Sequence, residues 1–299
     1  MGPQSLIHSP REVALDSPRA AASAADIRLV VSDIDGTLVT HDKRVTPAAL
    51  AAIQSLREAG ILFTITSSRP PQALRVVADV IGLTHPVAAF NGGLIVDRDL
   101  QTILREKLLE RMVVERLLPA LAALNVDIWI YTDTNWYVRD AKGPYVEHEE
   151  HAVKCSPTVV DDFRSLPLNR VAKIVGVSED FPLVAEAENQ IQRQFSGAVS
   201  ATRSQNYYLD ITHPNANKGE GILLLSELLE IAPNHIATIG DMQNDVFMFR
   251  ESGLSVAMGN ATPDVQREAD YVTATNEEEG FAKAIENFLL APRRQAASR

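Results

Sequence analysis

The sequence predicts an α/β protein, a parallel sheet covered by helices, with an α+β unit inserted into it. Three observations carry this. Apolar strand-like runs alternate with helical patterns over residues 27–81. The same alternation returns over residues 218–290. Between them the rhythm changes to consecutive strand-like segments joined by short turns, which implies an antiparallel sheet with helices on one face.

The first run, Ile27 to Ser32, is a short buried strand ending at carboxylates. "VTPAALAAIQSLREAG" follows, with Thr46 as N-cap, Pro47 at the first helical position and Gly60 just past the end. "ILFTITSS" is a second strand, and Pro71 opens a helix to about Ile81. Asn91-Gly92 in "AFNGGLIV" is a turn signal. In the middle, a helix is expected from about Leu109 to Leu124, then strands at "VDIWIY" and "NWYVRD". "RVAKIVGVS", a helix over 181–195, "AVSATRS" and "YYLDITH" complete a loose repeat of a helix and two strands. The closing part reads as a helix from Lys218 to Ile231, the strand "HIATIGD", a helix from Gln243 to Ser252 and the strand "LSVAMG". A short helix at 263–269, the strand "YVTAT" and an amphipathic helix over 277–290 end it.

Composition narrows the function. A formal charge of −11 argues against bulk nucleic-acid binding, which leans on excess Lys and Arg. One cysteine, Cys155, excludes an intramolecular disulfide and fits a reducing, cytoplasmic setting. No stretch has the apolar length of a membrane helix, and residues 1–25 lack the apolar block of a secretory signal. Residues 1–25 are expected to form a disordered tail and residues 292–299 a flexible one.

The chemistry sits at strand ends. Asp33 and Asp35 in "VVSDIDGTLVT" stand at the C-terminal end of the first strand, where ligands bind in doubly wound sheets. Paired carboxylates there can hold a hard cation such as Mg²⁺, or serve as nucleophile and general acid. Alone, the pair is equally consistent with a solvated Asp-Gly turn. Ser67 ends the second strand, and its hydroxyl can meet a phosphate oxygen or merely cap a helix. Lys218 opens a helix, where free N–H groups and an ammonium favour an anion. Asp241 follows a buried strand and a glycine, with Asn244 and Asp245 on the first turn of the next helix. "EHEEHAV" places His148 and His151 three apart, the wrong spacing for a zinc-protease motif, and reads as a solvated acidic helix end. Trp129, Trp136 and Tyr137 read as packing within the middle unit. Tyr207 and Tyr208 are close to the chain's return to the core, where one of them can face the cleft.

"DIDGT", Ser67 in "TSSR", Lys218 in "NKGEG", "GDMQND" and "AMGNA" at 257–261 occur in that order. Together they resemble the haloacid dehalogenase-like (HAD) phosphatases, and among these the Cof-type hydrolases with a type-IIB cap. The resemblance spans essentially the whole chain after residue 26. It implies a Rossmann-like, doubly wound catalytic core from residues 26–106 and 212–291, with an inserted cap over 107–211. It implies Asp33 as a nucleophile forming an aspartyl-phosphate, and Asp35 as the acid that protonates the leaving oxygen and then activates water. Ser67 and Lys218 would orient and neutralise the phosphoryl group. Asp33, the backbone carbonyl of Asp35 and Asp241 would bind Mg²⁺, with Asn244 and Asp245 holding its waters or the lysine. Arg69 and Asn91 are candidate substrate contacts, and Arg69 is equally suited to bracing the loop. One departure stands out: the family usually has Thr-Gly-Arg where this chain has Ser67-Ser68-Arg69. The hydroxyl survives, but Ser68 in place of glycine can alter the loop.

The implied activity is Mg²⁺-dependent hydrolysis of a small phosphorylated metabolite, a sugar phosphate or similar. The cap would roof the site against macromolecules, with no nucleic-acid or membrane partner expected. A sugar phosphomutase shares the nucleophile and metal. A non-catalytic phosphometabolite-binding protein has no need for nucleophile and acid together.

Overall fold

The structure is a computed structural model that describes residues 23–297, except Thr134 and Lys154. The first stretch contains β1 (Leu29–Ser32), α1 (Pro47–Glu58), β2 (Leu62–Ile65), α2 (Arg75–Ile81), β3 (Val87–Ala89), β4 (Leu94–Val96) and β5 (Ile103–Glu106). The middle contains α3 (Arg111–Ala123), β6 (Asp127–Thr132), β7 (Trp136–Val138), α4 (Val146–Val153), β8 (Thr158–Val159), β9 (Val171–Val177), α5 (Phe181–Gln194), β10 (Ser200–Gln205) and β11 (Tyr208–Thr212). The last stretch contains α6 (Lys218–Leu229), β12 (Ile236–Gly240), α7 (Val246–Glu251), β13 (Leu254–Ala257), α8 (Pro263–Arg267), β14 (Tyr271–Val272), α9 (Gly280–Ala284) and α10 (Ala291–Ala297).

Strands from both ends of the chain build one parallel sheet in the order β14-β13-β12-β1-β2. Its central strands are apolar and fully buried, as strands covered on both faces must be. From β1 the chain winds outward to β2, and from β12 it winds the other way to β13. The strand order therefore reverses between β1 and β12, and a crevice opens beyond their C-terminal ends. α1 forms as its sequence dictates. The Thr46 side chain caps the Ala49 N–H, Pro47 starts the helix, and Ala49, Ala52, Ile53 and Leu56 form the buried stripe.

The middle segment folds into its own six-stranded sheet, β10-β11-β9-β6-β7-β8, antiparallel except for the β7–β8 pair. Two helix-plus-hairpin units, α3–β6–β7 and α5–β10–β11, flank the central strand β9. One face packs under the helices, with Val114, Leu117, Leu121, Val184 and Ile191 against Ile130, Ile174 and Ile211. The other face carries Trp129, Tyr131, Val175 and Tyr208, which join a buried cluster continuous with Ile34, Leu74 and Phe90 of the first stretch. Among the described residues, no helix is long and apolar enough to cross a membrane.

The structure departs from the sequence reading in four places. The helix expected from Pro71 begins as a 3-10 turn, Pro71–Leu74, before α2. "AFNGGLIV" turns as expected, with Asn91 at φ 55, but it joins β3 and β4 of a separate antiparallel sheet completed by β5. β5 is only partly buried and too short for its alternation to register. The closing helix contains a π-helical stretch, Ile285–Leu290. It then continues as α10, so residues 292–297 are helical where a flexible tail was expected. Arg293 ties them down by donating to the carbonyls of Ile27 (2.7 Å) and Ala24 (3.2 Å). The tail expected at residues 1–25 falls outside the described residues up to residue 22, and Ala24–Asp26 forms a 3-10 turn capped by Ser23.

Ile174 sits at the centre of the middle sheet with no exposed surface. Truncation to alanine there leaves a cavity beneath α3 and α5. We expect Ile174→Ala to cost about 2–5 kcal/mol, measured as a lowered denaturant midpoint with an unchanged slope.

Candidate active site

Four loops meet at the crevice beyond β1 and β12. β1 delivers Asp33, and the Asp33 N–H bonds the Ile239 carbonyl at 2.9 Å, locking the loop to the neighbouring strand. β2 delivers Ser67, whose N–H bonds the Ala88 carbonyl at 2.9 Å. α6 starts at Lys218, with the Asn217 side chain capping the Glu220 N–H at 2.9 Å. β12 delivers Asp241, followed by Asn244 and Asp245.

At the centre the Lys218 ammonium lies 2.5 Å from Asp33 Oδ1 and 2.5 Å from Asp245 Oδ1. The lysine is only 2% exposed. Burial works against its charge, but Asp245 and Asp33 outweigh that and hold its pKa above the ordinary lysine value. Asp245 Oδ2 accepts the Asp241 and Met242 N–H groups, both at 2.8 Å, so both its oxygens are committed. Asp241 Oδ1 accepts from the Thr37 hydroxyl at 2.8 Å, and Asn260 reaches both Asp241 Oδ2 (3.3 Å) and the Gly36 carbonyl (2.9 Å).

Two glycines allow this crowding. A side-chain carbon on Gly36, which has φ +81, would collide with the Asp241 carboxylate, and one on Gly240 would collide with that of Asp245.

Asp33, Asp241 and Asp245 each offer an oxygen within 4.8 Å of the others. Three buried carboxylates against one lysine leave a formal charge of −2. Burial pushes Asp33 well above the usual carboxylate range, with Asp245 and Asp241 adding to the shift and Lys218 opposing it. Burial and Asp245 likewise push Asp241 up to about 6 against the Thr37 hydrogen bond. The donor set is all oxygen, and Asn244 Oδ1 is buried with no hydrogen-bond partner. A hard divalent cation such as Mg²⁺ fits this charge and chemistry. Asp33 keeps Oδ2 without a hydrogen bond among the described contacts, and Asp241 Oδ2 has only the long 3.3 Å contact from Asn260, whereas Asp245 is held at both oxygens by bonds of 2.5–2.8 Å.

Asp35 stands apart. Burial alone would raise its pKa, but Arg69 and Lys43 lower it below the ordinary value. Arg69 grips both its oxygens through Nη2 (2.6 Å) and Nε (2.7 Å), and Lys43 Nζ adds a contact at 2.7 Å. Arg69 therefore braces Asp35 itself. Ser67 is buried, and its Oγ accepts the Arg69 N–H at 3.2 Å. Asn91 Oδ1 accepts from Asn244 Nδ2 at 3.1 Å, and the Asn91 N–H bonds the Ser67 carbonyl at 2.8 Å. His148 and His151 lie on α4, away from this centre, and the described acidic and His groups that could hold a metal include neither.

Sequence reasoning missed Lys43, Thr37 and Asn260. Thr37 and Asn260 lie inside quoted motifs, and Asn260 follows β13 just as Asp241 follows β12. The strand-end rule that found Asp241 also reaches Asn260.

Comparisons with known proteins identify the family and the fold. A family model described as haloacid dehalogenase-like hydrolase matches residues 30–285. A 5-amino-6-(5-phospho-D-ribitylamino)uracil phosphatase of Bacillus subtilis is 26% identical over 266 residues, covering 89% of this chain and 97% of its own. Among solved structures, a haloacid dehalogenase-like hydrolase from Bacteroides thetaiotaomicron superposes with a TM-score of 0.79 at 28% identity, covering 87% of this chain and 99% of its own. A subclass IIB sugar phosphatase of the same superfamily reaches a TM-score of 0.76 at 23% identity, covering 87% and 98%. The chain belongs to the haloacid dehalogenase-like hydrolases, as its motifs indicated.

The raised Asp241 carboxyl sets a pH signature. Its neutral form is favoured in the folded protein, so this contribution to stability is complete below pH about 4 and is lost as pH rises through about 6. In chelator-treated protein, we expect Asp241→Asn to raise the melting temperature at pH 7.5 but not at pH 4. The difference should reach about 3 kcal/mol at most. Added Mg²⁺ should stabilise the wild type at pH 7.5 and not the variant, as read by thermal denaturation.

Proposed function

We propose that this protein is a Mg²⁺-dependent phosphatase acting on small phosphorylated metabolites, sugar phosphates foremost, through an aspartyl-phosphate on Asp33. The observation that carries the reading is the buried Asp33–Lys218–Asp245 arrangement beside Asp241, with Asp35 two residues beyond the nucleophile. A binding protein gains nothing from a second carboxylate placed there. The named activities of the phosphatase relatives support the same chemistry.

Asp33 and Asp241 would hold the cation, together with the backbone carbonyl of Asp35. When bound, it neutralises the carboxylates and the incoming phosphate and polarises the phosphoryl group. Lys218 fixes the Asp33 carboxylate by its Oδ1, and a carboxylate oxygen of Asp33 attacks phosphorus in line with the ester oxygen. The P–O ester bond breaks as Asp35 donates its proton to the leaving oxygen. Asp35 then removes a proton from water, the water oxygen attacks phosphorus, and the bond to Asp33 breaks. Inorganic phosphate leaves, Asp33 is again a carboxylate and Asp35 again carries the proton it began with. Ser67 and Lys218 orient and neutralise the phosphoryl oxygens, which is most of what phosphoryl transfer asks of a protein. Arg69 and Lys43, which hold Asp35 in the free protein, are cations that an arriving phosphate would draw, alongside Lys218. Their transfer from Asp35 to the phosphate frees the acid for its proton. Asn244 would hold a cation-bound water, and Asn91 positions Asn244.

Phosphate release from a panel of phosphomonoesters tests this. We expect Asp33→Asn, or chelation, to lower kcat by at least about 10³-fold. Asp35→Asn should accumulate phosphoprotein detectable by intact-mass measurement after acid quench. Activity that survives Asp33→Asn overturns the mechanism, and a wild type inactive on every ester overturns the assignment.

A further inference from the structure

A small hairpin, residues 39–45, stands beside the acid residue, and its support comes from the far end of the chain. Val39 bridges to Val45 across the hairpin stem and to Asp35 next to it. The tip closes on itself. The Thr40 N–H bonds the Arg44 carbonyl at 3.0 Å, and the Lys43 N–H bonds the Thr40 carbonyl at 2.9 Å. Asp42 accepts from the Thr40 hydroxyl and from Arg44 Nε, both at 2.6 Å. Lys43 has φ 61, a conformation that a side chain resists and that the closed tip enforces. From there the Lys43 ammonium, on an exposed side chain, reaches Asp35 Oδ1 at 2.7 Å. A tip closed in this way moves as one body, so its pose depends on what holds the stem.

Residues 276–279 hold it at three points. Asn276 Nδ2 donates to the Val39 carbonyl at 3.0 Å, Glu277 Oε1 accepts the His41 N–H at 2.5 Å, and Glu279 Oε2 accepts from the Thr46 hydroxyl at 2.5 Å. The turn that supplies these groups is itself fixed. Thr275 and Glu278 cap it reciprocally, and the Gly280 N–H bonds the Thr275 carbonyl at 2.9 Å. The Asn276 backbone has a different target. Its N–H donates to Asn260 Oδ1 at 3.0 Å, which obliges the Asn260 amide nitrogen to face Asp241 and the Gly36 carbonyl. Asn276 therefore touches the hairpin through its side chain and the surroundings of Asp241 through its backbone. A substitution removes the first link and keeps the second.

We propose that Asn276 is a positioning residue that acts on the reaction through Lys43: its side chain holds the hairpin in the pose from which the Lys43 ammonium meets Asp35 and an arriving phosphate. The proposal rests on the phosphatase reading above. A lysine carries its charge on a long flexible stem, and fixing that stem at one place costs entropy. A hairpin clamped at Val39, His41 and Thr46 fixes the start of the stem in advance, so less remains to be ordered when phosphate arrives. Without the clamp the ammonium spends less of its time within reach of the phosphate. Val39 is buried, so its carbonyl also loses the partner that Asn276 supplies.

The test uses inorganic phosphate as a competitive inhibitor of p-nitrophenyl phosphate hydrolysis, with the full chain and Mg²⁺, because free phosphate has no leaving group and reports on the phosphate site alone. We expect Lys43→Met to raise the phosphate inhibition constant about tenfold and Asn276→Ala about fivefold. In the double variant the constant should lie within about twofold of Lys43→Met alone, since the two residues act in one chain. The Mg²⁺ concentration that gives half of the thermal stabilisation should stay within about twofold of wild type in Asn276→Ala, because the N–H to Asn260 is kept. Glu277→Ala, at an exposed position, should show the same dependence on Lys43 with a smaller effect, and it carries the test if Asn276→Ala folds poorly. Effects that multiply in the double variant, an unchanged inhibition constant in Asn276→Ala and Glu277→Ala, or Mg²⁺ binding weakened as much as phosphate binding overturns the proposal and leaves the phosphatase reading intact. A wild type that hydrolyses no ester overturns both.

Discussion

One ammonium group organises the catalytic end of this molecule. Lys218 is buried between Asp33 and Asp245, which come from opposite sides of the strand-order reversal. Removing a lysine and several carboxylates from water is costly unless their partners are exact in number and position. The neighbouring residues answer that demand. Backbone N–H groups hold the second Asp245 oxygen, Thr37 holds Asp241, and two glycines let the carboxylates approach the chain. The set still falls short of neutrality by two charges, and the Asp33 and Asp241 carboxyls are raised first by burial and further by the neighbouring carboxylates. A divalent cation removes it, so the fold and the chemistry make the same demand on the site.

The strands carrying Asp33, Ser67 and Asp241 were legible because each ends a short apolar run at a polar residue, a purely local pattern. α1 was legible down to its cap at Thr46 and its start at Pro47. The convergence of these residues came only from the parallel-sheet rule and the family resemblance. Links that span the chain could not be read at all. Thr37 and Asp241 lie 204 residues apart, and Asp35 and Arg69 lie 34 apart. Neither spacing has a periodic signature. Arg69 looked equally suited to substrate or loop, and its grip on Asp35 makes it part of the acid's own environment. β5 and the π-helical stretch were hidden for another reason: one is a half-exposed edge strand, and the other differs from an α-helix only in its hydrogen-bond step.

The middle unit shows how burial on both faces removes information. Every residue of β9, "VAKIVGV", is buried, so the usual inside–outside alternation is absent. Lys173 in that run was the remaining cue. A lysine seldom occupies a buried strand without a partner or a purpose. The sequence reading placed Trp129 and Trp136 in packing, and they are buried. It also allowed one tyrosine of the 207–208 pair to face the cleft, and the register assigns that side of the sheet to Tyr208.

The Phe90–Asn91 turn joins the two units energetically. Phe90 and Asn91 both adopt positive φ, 48 and 55, a conformation that costs a residue with a side chain about 1–2 kcal/mol. Such strain persists only where the surroundings over-determine it. Here the backbone N–H groups are committed to Arg69 and Ser67, the Asn91 side chain to Asn244, and the Phe90 ring to Tyr131 and Lys173. Loss of the ring contact removes one of the restraints on a strained turn whose other restraints lie in the phosphate loops. The middle sheet and the loops that carry Ser67 and Asn244 are therefore tied together through this one turn.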